Sequence, residues 1–152
     1  MIELELHVSP LIREVALPLL NEVLRELSGE GSFDEVRYAP PPDDPELRDT
    51  WLEGLREDHS SDLAAAARLA AHQHFGSEEA VSIEPDEAEA ALRGLTAARL
   101  RIRSKHLADV SDAVLEGGAL DFEQLVPLQQ RGYLAYALAA ATQERIVSLL
   151  GP

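Results

Sequence analysis

Ile2, Leu4, Leu6 and Val8 alternate with Glu3, Glu5 and His7 at the start of the chain. Strict alternation of apolar and polar residues predicts a half-buried strand. The period then changes. Ile12, Val15, Ala16, Leu19, Leu20, Val23, Leu24 and Leu27 recur at helical spacing. Ser9 and Pro10 ahead of them have the form of a cap followed by proline at the first helical position. Pro18 lies inside the run and is expected to bend or break it, because proline lacks the N–H of a helix interior and its ring crowds the preceding turn. Gly29 is the expected stop.

The stretch GSFDEVRYAPPPDD reads as a connector. Phe33–Tyr38 is its candidate short strand, placed to pair with residues 2–8, and the prolines that follow exclude regular structure. Pro45 opens a second helical region reaching about His74, with apolar positions at Leu47, Trp51, Leu55, Ala66 and Leu69. Ser60 and Ser61 can cap a further helix and so divide it. FGSEEAVSIEPD is a loop with one extended segment at Val81–Ile83. A third helical region starts near Pro85, Gly117 and Gly118 mark a turn, and a last helical region runs from about Phe122 to Leu150, its long regular part beginning at Pro127. Within it YLAYALAAAT is apolar on almost every side, the pattern of a helix at a bundle centre or in an oligomer interface. The fold expected is mainly α: a helical bundle of about four to six helices with a small N-terminal β element, as one domain. That domain covers residues 1–152.

Charge alters this picture at one place. The chain has 28 acidic and 13 basic side chains, a formal net charge of −15. Residues 1–92 hold 22 of the acids and 6 of the bases. Such a field repels phosphate backbones and anionic lipid, so neither nucleic acid nor a membrane surface is an expected partner. Yet five of the 13 Lys and Arg side chains, Arg93, Arg99, Arg101, Arg103 and Lys105, fall between Ala90 and Leu107, with His106 beside them. At about 100° per residue, Ala88, Leu92, Leu95 and Ile102 share a face. Arg99 and His106 fall within it and Arg103 at its edge, whereas Arg93, Arg101 and Lys105 point elsewhere. Taken as one helix, the second region shows the converse: Asp58 and Asp62 interrupt its apolar stripe, with His59 beside them. Arg99 and Arg103 are therefore expected to meet Asp58 and Asp62 inside the bundle, where the planar guanidinium fork suits carboxylates. Such a cluster either fixes helix register as an ion-pair network or lines a small polar pocket.

The segment VSIEPDEAEAALRGLTAARLRI, with its Leu92, Leu95, Arg99, Leu100 pattern, resembles the central segment of the bacterial family grouped as domain of unknown function 2017. RYAPPPDDPEL resembles that family's proline-plus-acid connector, Asp62-Leu63 its Asp-Leu pair, and TQERIVSLL its closing helix, with Gln143 at the matching position. The chain departs from the family pattern at Ala91-Leu92, at Thr96 and at IRS after Arg101. The resemblance implies a mainly helical cytoplasmic protein without an established activity. Some relatives are encoded beside the adaptor subunit of the Clp protease, which adds a hint of protein quality control.

Chemistry is otherwise scarce. With no cysteine, disulfides, thiolate catalysis and zinc held by sulfur are excluded. MIELELHVSP lacks the basic and apolar regions of a signal peptide, and the longest uncharged run, between Arg131 and Glu144, falls well short of the roughly 20 residues that span a bilayer. A cytoplasmic location is the expectation. No phosphate loop, GxGxxG, nucleophile elbow, HExxH or Glu-x-x-His is present. His72 and His74 diverge on a helix. Asp58, His59, Asp62 and His106 could make a mixed N/O metal site, but Arg99 and Arg103 would oppose the cation. No metal or cofactor is therefore expected. The function expected is a non-enzymatic interaction or regulatory protein, self-associating as a homodimer through the last helix at Tyr133, Tyr136 and Leu138, with a further protein partner in view. The alternative is a small enzyme or metal-binding protein using Asp58, His59, Asp62, Arg99 and His106, with Asp62 and His106 as the acid–base pair.

Overall fold

A computed structural model describes residues 1–30, 43–116 and 120–151. In chain order the elements are β1 (Ile2–Leu4), α1 (Pro10–Glu30), α2 (Pro45–Ala71), β2 (Val81–Ile83), α3 (Pro85–His106), α4 (Asp112–Glu116), a 3-10 turn (Phe122–Gln124) and α5 (Pro127–Leu150). Each of the four long helices starts on a proline. The missing N–H is harmless in a first turn, and the fixed φ already suits a helix. Neighbouring side chains complete three of these starts. Ser9 Oγ accepts from the Ile12 N–H at 3.2 Å, Asp44 Oδ1 from the Glu46 N–H at 2.9 Å, and Gln129 Oε1 reaches back to the Val126 N–H at 3.1 Å.

β1 pairs antiparallel with β2, Ile2 opposite Ile83 and Leu4 opposite Val81. Leu4, Val81 and Ile83 turn inward and are buried, while Ser82 donates to Glu3 at 2.6 Å on the outer side. The strand is shorter than the alternation over residues 2–8 predicts. Its partner among the described residues is the Val81–Ile83 segment. Phe33–Tyr38, Gly117 and Gly118 lie outside the described residues.

The long helices pack as a ring: α1 on α2, α2 on α3, α3 on α5 and α5 on α1, with α1 and α3 also meeting across the middle and β1 lying on α5. Leu20 and Leu24 of α1, Leu63 and Ala66 of α2, Leu95 and Ile102 of α3, and Ala139 and Ile146 of α5 fill the centre, and Phe75 closes one end from the turn after α2. This is the mainly α bundle that the periodicity predicts. Two expected interruptions are absent. α1 is continuous through Pro18, which sits exposed on the outer side while Ala16, Leu19, Leu20 and Val23 are buried around it. Their packing holds the helix despite one missing backbone bond. α2 is likewise continuous through the exposed Ser60 and Ser61. No described helix is long and apolar enough to cross a membrane.

Small residues set the spacing. A Cβ added at Gly94 of α3 would run into the backbone carbonyl of Asp62 and stand 2.7 Å from Ala66 Cβ. At Gly132 of α5 it would stand 2.6 Å from His106 Cβ. Gly54, in α2, has nothing within 4 Å of the same point. Two alanine substitutions should therefore move stability in opposite directions. Gly94→Ala is expected to cost about 1–3 kcal/mol through overpacking, and Gly54→Ala to gain roughly 0.5–1 kcal/mol from helix propensity. Urea melts give both values, and a Gly94→Ala protein as stable as the original would contradict the close crossing.

Candidate functional site

The basic stretch of α3 faces two neighbours and its own C-terminus, and its arginines divide accordingly. Arg93, next to Gly94, reaches over the tight crossing to α2, where its Nε donates to Asp62 Oδ2 at 3.0 Å. Asp62 is only 9% exposed, and Arg93 gives its carboxylate a partner there. In return that hydrogen bond raises the guanidinium pKa, with a smaller contribution from the charge of Asp58. Asp58 itself is exposed and His59 half-buried.

Arg99 turns the other way, toward α5. One terminal nitrogen donates to Gln143 Oε1 at 2.9 Å and the other to the Tyr136 hydroxyl at 3.0 Å, with the guanidinium carbon 4.7 Å from the Tyr136 ring centre. Gln143 Nε2 donates in turn to the Leu92 carbonyl and to Thr96 Oγ1, each at 2.8 Å. Thr96, Arg99, Gln143 and Tyr136 thus form one polar seam between α3 and α5. The amide of Gln143 uses both its ends, so the seam fixes that side chain's orientation and the register of the two helices.

Arg103 closes the end of α3. It donates to the carbonyls of Leu107 and Val110 and, at 2.7 Å, to Asp112 Oδ1. The Leu107 carbonyl also accepts from the Val110 N–H at 3.0 Å, so Arg103 adds a second donor to the turn that follows the helix. His106 lies half-buried over Gly132, and Lys105 beside it bonds Glu26 of α1 at 3.1 Å.

The expected meeting of Arg99 and Arg103 with Asp58 and Asp62 therefore does not occur. Asp62 is taken by Arg93, which the helical projection pointed away from the core. A projection treats the face as flat, whereas the crossing at Gly94 leaves no room for a long side chain between the helices and favours the arginine beside it. Nor do Asp62 and His106 pair. Asp62 meets α3 at Gly94, and His106 is about 18 Å further along that helix at 1.5 Å per residue. Among the described residues no group of three His, Asp or Glu side chains could hold a metal ion. His72 and His74 have ring centres 5.4 Å apart, and His74 Nε2 lies 3.0 Å from Glu79 Oε2.

The three interface candidates on α5 serve this chain. Leu138 is 5% exposed and belongs to the core, Tyr136 bonds Arg99, and Tyr133 lies against Phe122 with ring centres 6.2 Å apart. α1 and α3 cover the two apolar faces that suggested a second chain, and between Gly132 and Gln143 only Ala141 is exposed. Sequence reasoning missed Thr96. It lies one turn from Arg99, as Tyr136 and Gln143 lie two turns apart on α5, and those spacings were the available signal. It also missed a cleft of about 470 Å³ between the start of α1 and the turn after α2, lined by His7, Ser9, Arg13, Ser77 and Glu78. Arg13 is engaged there, donating to the carbonyls of Phe75 at 3.1 Å and Gln73 at 3.0 Å.

No family model, curated protein or solved structure matches the chain.

Arg99 and Arg93 should differ in what relieves their loss. Arg99→Ala removes two charge-assisted bonds from a half-buried seam and is expected to cost about 1.5–3 kcal/mol. Arg93→Ala leaves the Asp62 carboxylate, whose side chain is only 12% exposed, without this partner and is expected to cost about 1–3 kcal/mol, a loss that Asp62→Asn in the same chain should largely relieve. Asp62→Asn should not relieve Arg99→Ala. Arg99→Lys should not restore stability, since an ammonium cannot reproduce the fork. Relief of Arg99→Ala by Asp62→Asn in urea melts, or no relief of Arg93→Ala, would contradict this division.

Proposed function

We propose that the protein is a non-enzymatic interaction or regulatory protein that self-associates as a homodimer through the first half of α2. The observation that carries this reading is that no residue from Pro45 to Ser61 is buried, although Leu47, Trp51, Leu52 and Leu55 lie there. Leu47, Trp51 and Leu55 recur every fourth residue and so line one stripe of the helix. Leu47 is 59% exposed. Trp51 and Leu55 are half-buried. An apolar stripe with no fully buried member favours a partner, and a two-fold contact would set the stripe of one copy against that of another. The candidate site argues in the same direction. Arg93, Arg99 and Arg103 are occupied in joining helices and closing a turn, so the basic stretch has a structural use. The reading also takes up what the resemblance to the domain of unknown function 2017 family implies, a cytoplasmic protein without an assigned reaction and with a link to protein quality control.

Glu46, Asp49, Glu53, Glu57 and Asp58 outnumber Arg48 and Arg56 around the stripe, and the chain as a whole is at −15, so two copies repel one another electrostatically. Salt screens that repulsion, and the dimer should tighten as ionic strength rises. Trp51 is the single tryptophan and reports the contact directly. Sedimentation is expected to give a dimer at micromolar concentration, with Trp51 emission moving to shorter wavelength as concentration increases. Leu55→Glu should give a monomer of unchanged helical content. A monomer throughout, with emission independent of concentration, would overturn self-association. A stoichiometric metal ion in untagged protein would favour the small enzyme or metal-binding reading instead.

A further inference from the structure

We infer that His106 is an acid-sensitive joint, neutral while the start of α5 is seated on the end of α3 and opening that contact when its ring takes up a proton. The argument begins with packing. His106 Cβ meets α5 where Gly132 has no side chain, so the ring has little freedom to move away from the contact. Its Nδ1 is buried without a hydrogen-bond partner. In the neutral ring with the proton on Nε2, that atom is a lone pair, and leaving it unmatched is tolerable. Protonation from solvent puts an N–H on the same buried atom with no acceptor to receive it, and adds a charge.

The charged groups around the ring are mixed. Lys105 on its own helix and Arg131 of α5 oppose the imidazolium, while Glu26 and Glu22 of α1 favour it. Glu26 is already bonded to Lys105 at 3.1 Å. Burial is the largest influence and Lys105 the next, and together they hold His106 below its ordinary value of 6.5. The sign follows from linkage. The unfolded chain binds the proton first as pH falls, so the stability tied to the neutral ring is complete above about 6.5 and declines from there toward the lower folded value. The loss is placed locally because the segment it holds is lightly anchored. From Asp121 to Arg131 no residue is buried, and Gly132 is the first that is. Such a segment opens at lower cost than the core.

The test uses the full chain. Ring titration by NMR is expected to place the His106 midpoint below 6.5, with His7, His59, His72 and His74 as comparators. Amide exchange of residues 132–136 is compared between the unchanged protein and His106→Gln at about pH 7.5 and about pH 5. The ratio of their protection factors should fall by about tenfold for each unit by which the midpoint lies below 6.5, with little change in α2. Should His106→Gln not fold, the ring titration and the unchanged protein's exchange pattern still decide. A midpoint at or above 6.5, equal pH dependence in the two proteins, or acid loss spread evenly over all helices would each overturn the joint.

Discussion

The arrangement of this bundle depends on how closely α3 approaches its neighbours. At Gly94 the α2 backbone is so near that no Cβ fits, and at Gly132 α5 is equally close to His106. Close approach suits the small side chains buried on these helices, Ala66, Ala91, Ala98 and Ala135 among them, and lets facing helices gain dispersion contacts that larger residues would prevent. Alanine-rich helices are usually poor in burial area per residue. Here the small side chains compensate by closeness, with Leu20, Leu24, Leu95, Ile102 and Ile146 filling the wider interior.

The polar contacts follow from the same constraint. A long side chain cannot enter a crossing that excludes a methyl group, so Arg93 and Arg99 lie beside the close approaches and reach to the neighbouring helices. Arg93 goes to Asp62 on one side and Arg99 to Gln143 and Tyr136 on the other, while Arg103 turns back on the end of its own helix. The concentration of positive charge in an acidic chain is thereby accounted for as architecture. Three cations tie α3 to α2, to α5 and to the segment that follows it. The first half of α2, where no residue is buried, lies apart from these ties and carries the contact proposed between copies.

Much of the fold was legible because its signals are local. Pro10, Pro45, Pro85 and Pro127 announce the long helices, and apolar spacing supplies their inner faces. The limits of local reasoning are visible at Pro18, whose intrinsic penalty is outweighed by the burial of Leu19, Leu20 and Val23. They are visible again at β1, whose alternation announces a strand but not its partner: the register of Ile2 with Ile83 joins residues far apart in the chain. The polar site was half legible. A helical projection set Arg99 on the apolar face of α3, yet it could not say that the half-buried side chain faces α5 and not α2. Gly94 held the missing information about α2, but a glycine alone is ambiguous, since Gly54 in the adjacent helix touches nothing. Only the crossing geometry distinguishes the two.

The central claim, that Arg99 belongs to the α3–α5 seam and not to an Arg–Asp cluster, is tested most directly by double-mutant cycles on folding stability. The account predicts a coupling of roughly 0.5–3 kcal/mol between Arg99→Ala and Gln143→Ala, as for residues in one hydrogen-bonded network, and additivity within about 0.5 kcal/mol between Arg99→Ala and Asp62→Ala. Strong coupling of Arg99 to Asp62 with none to Gln143 would contradict it.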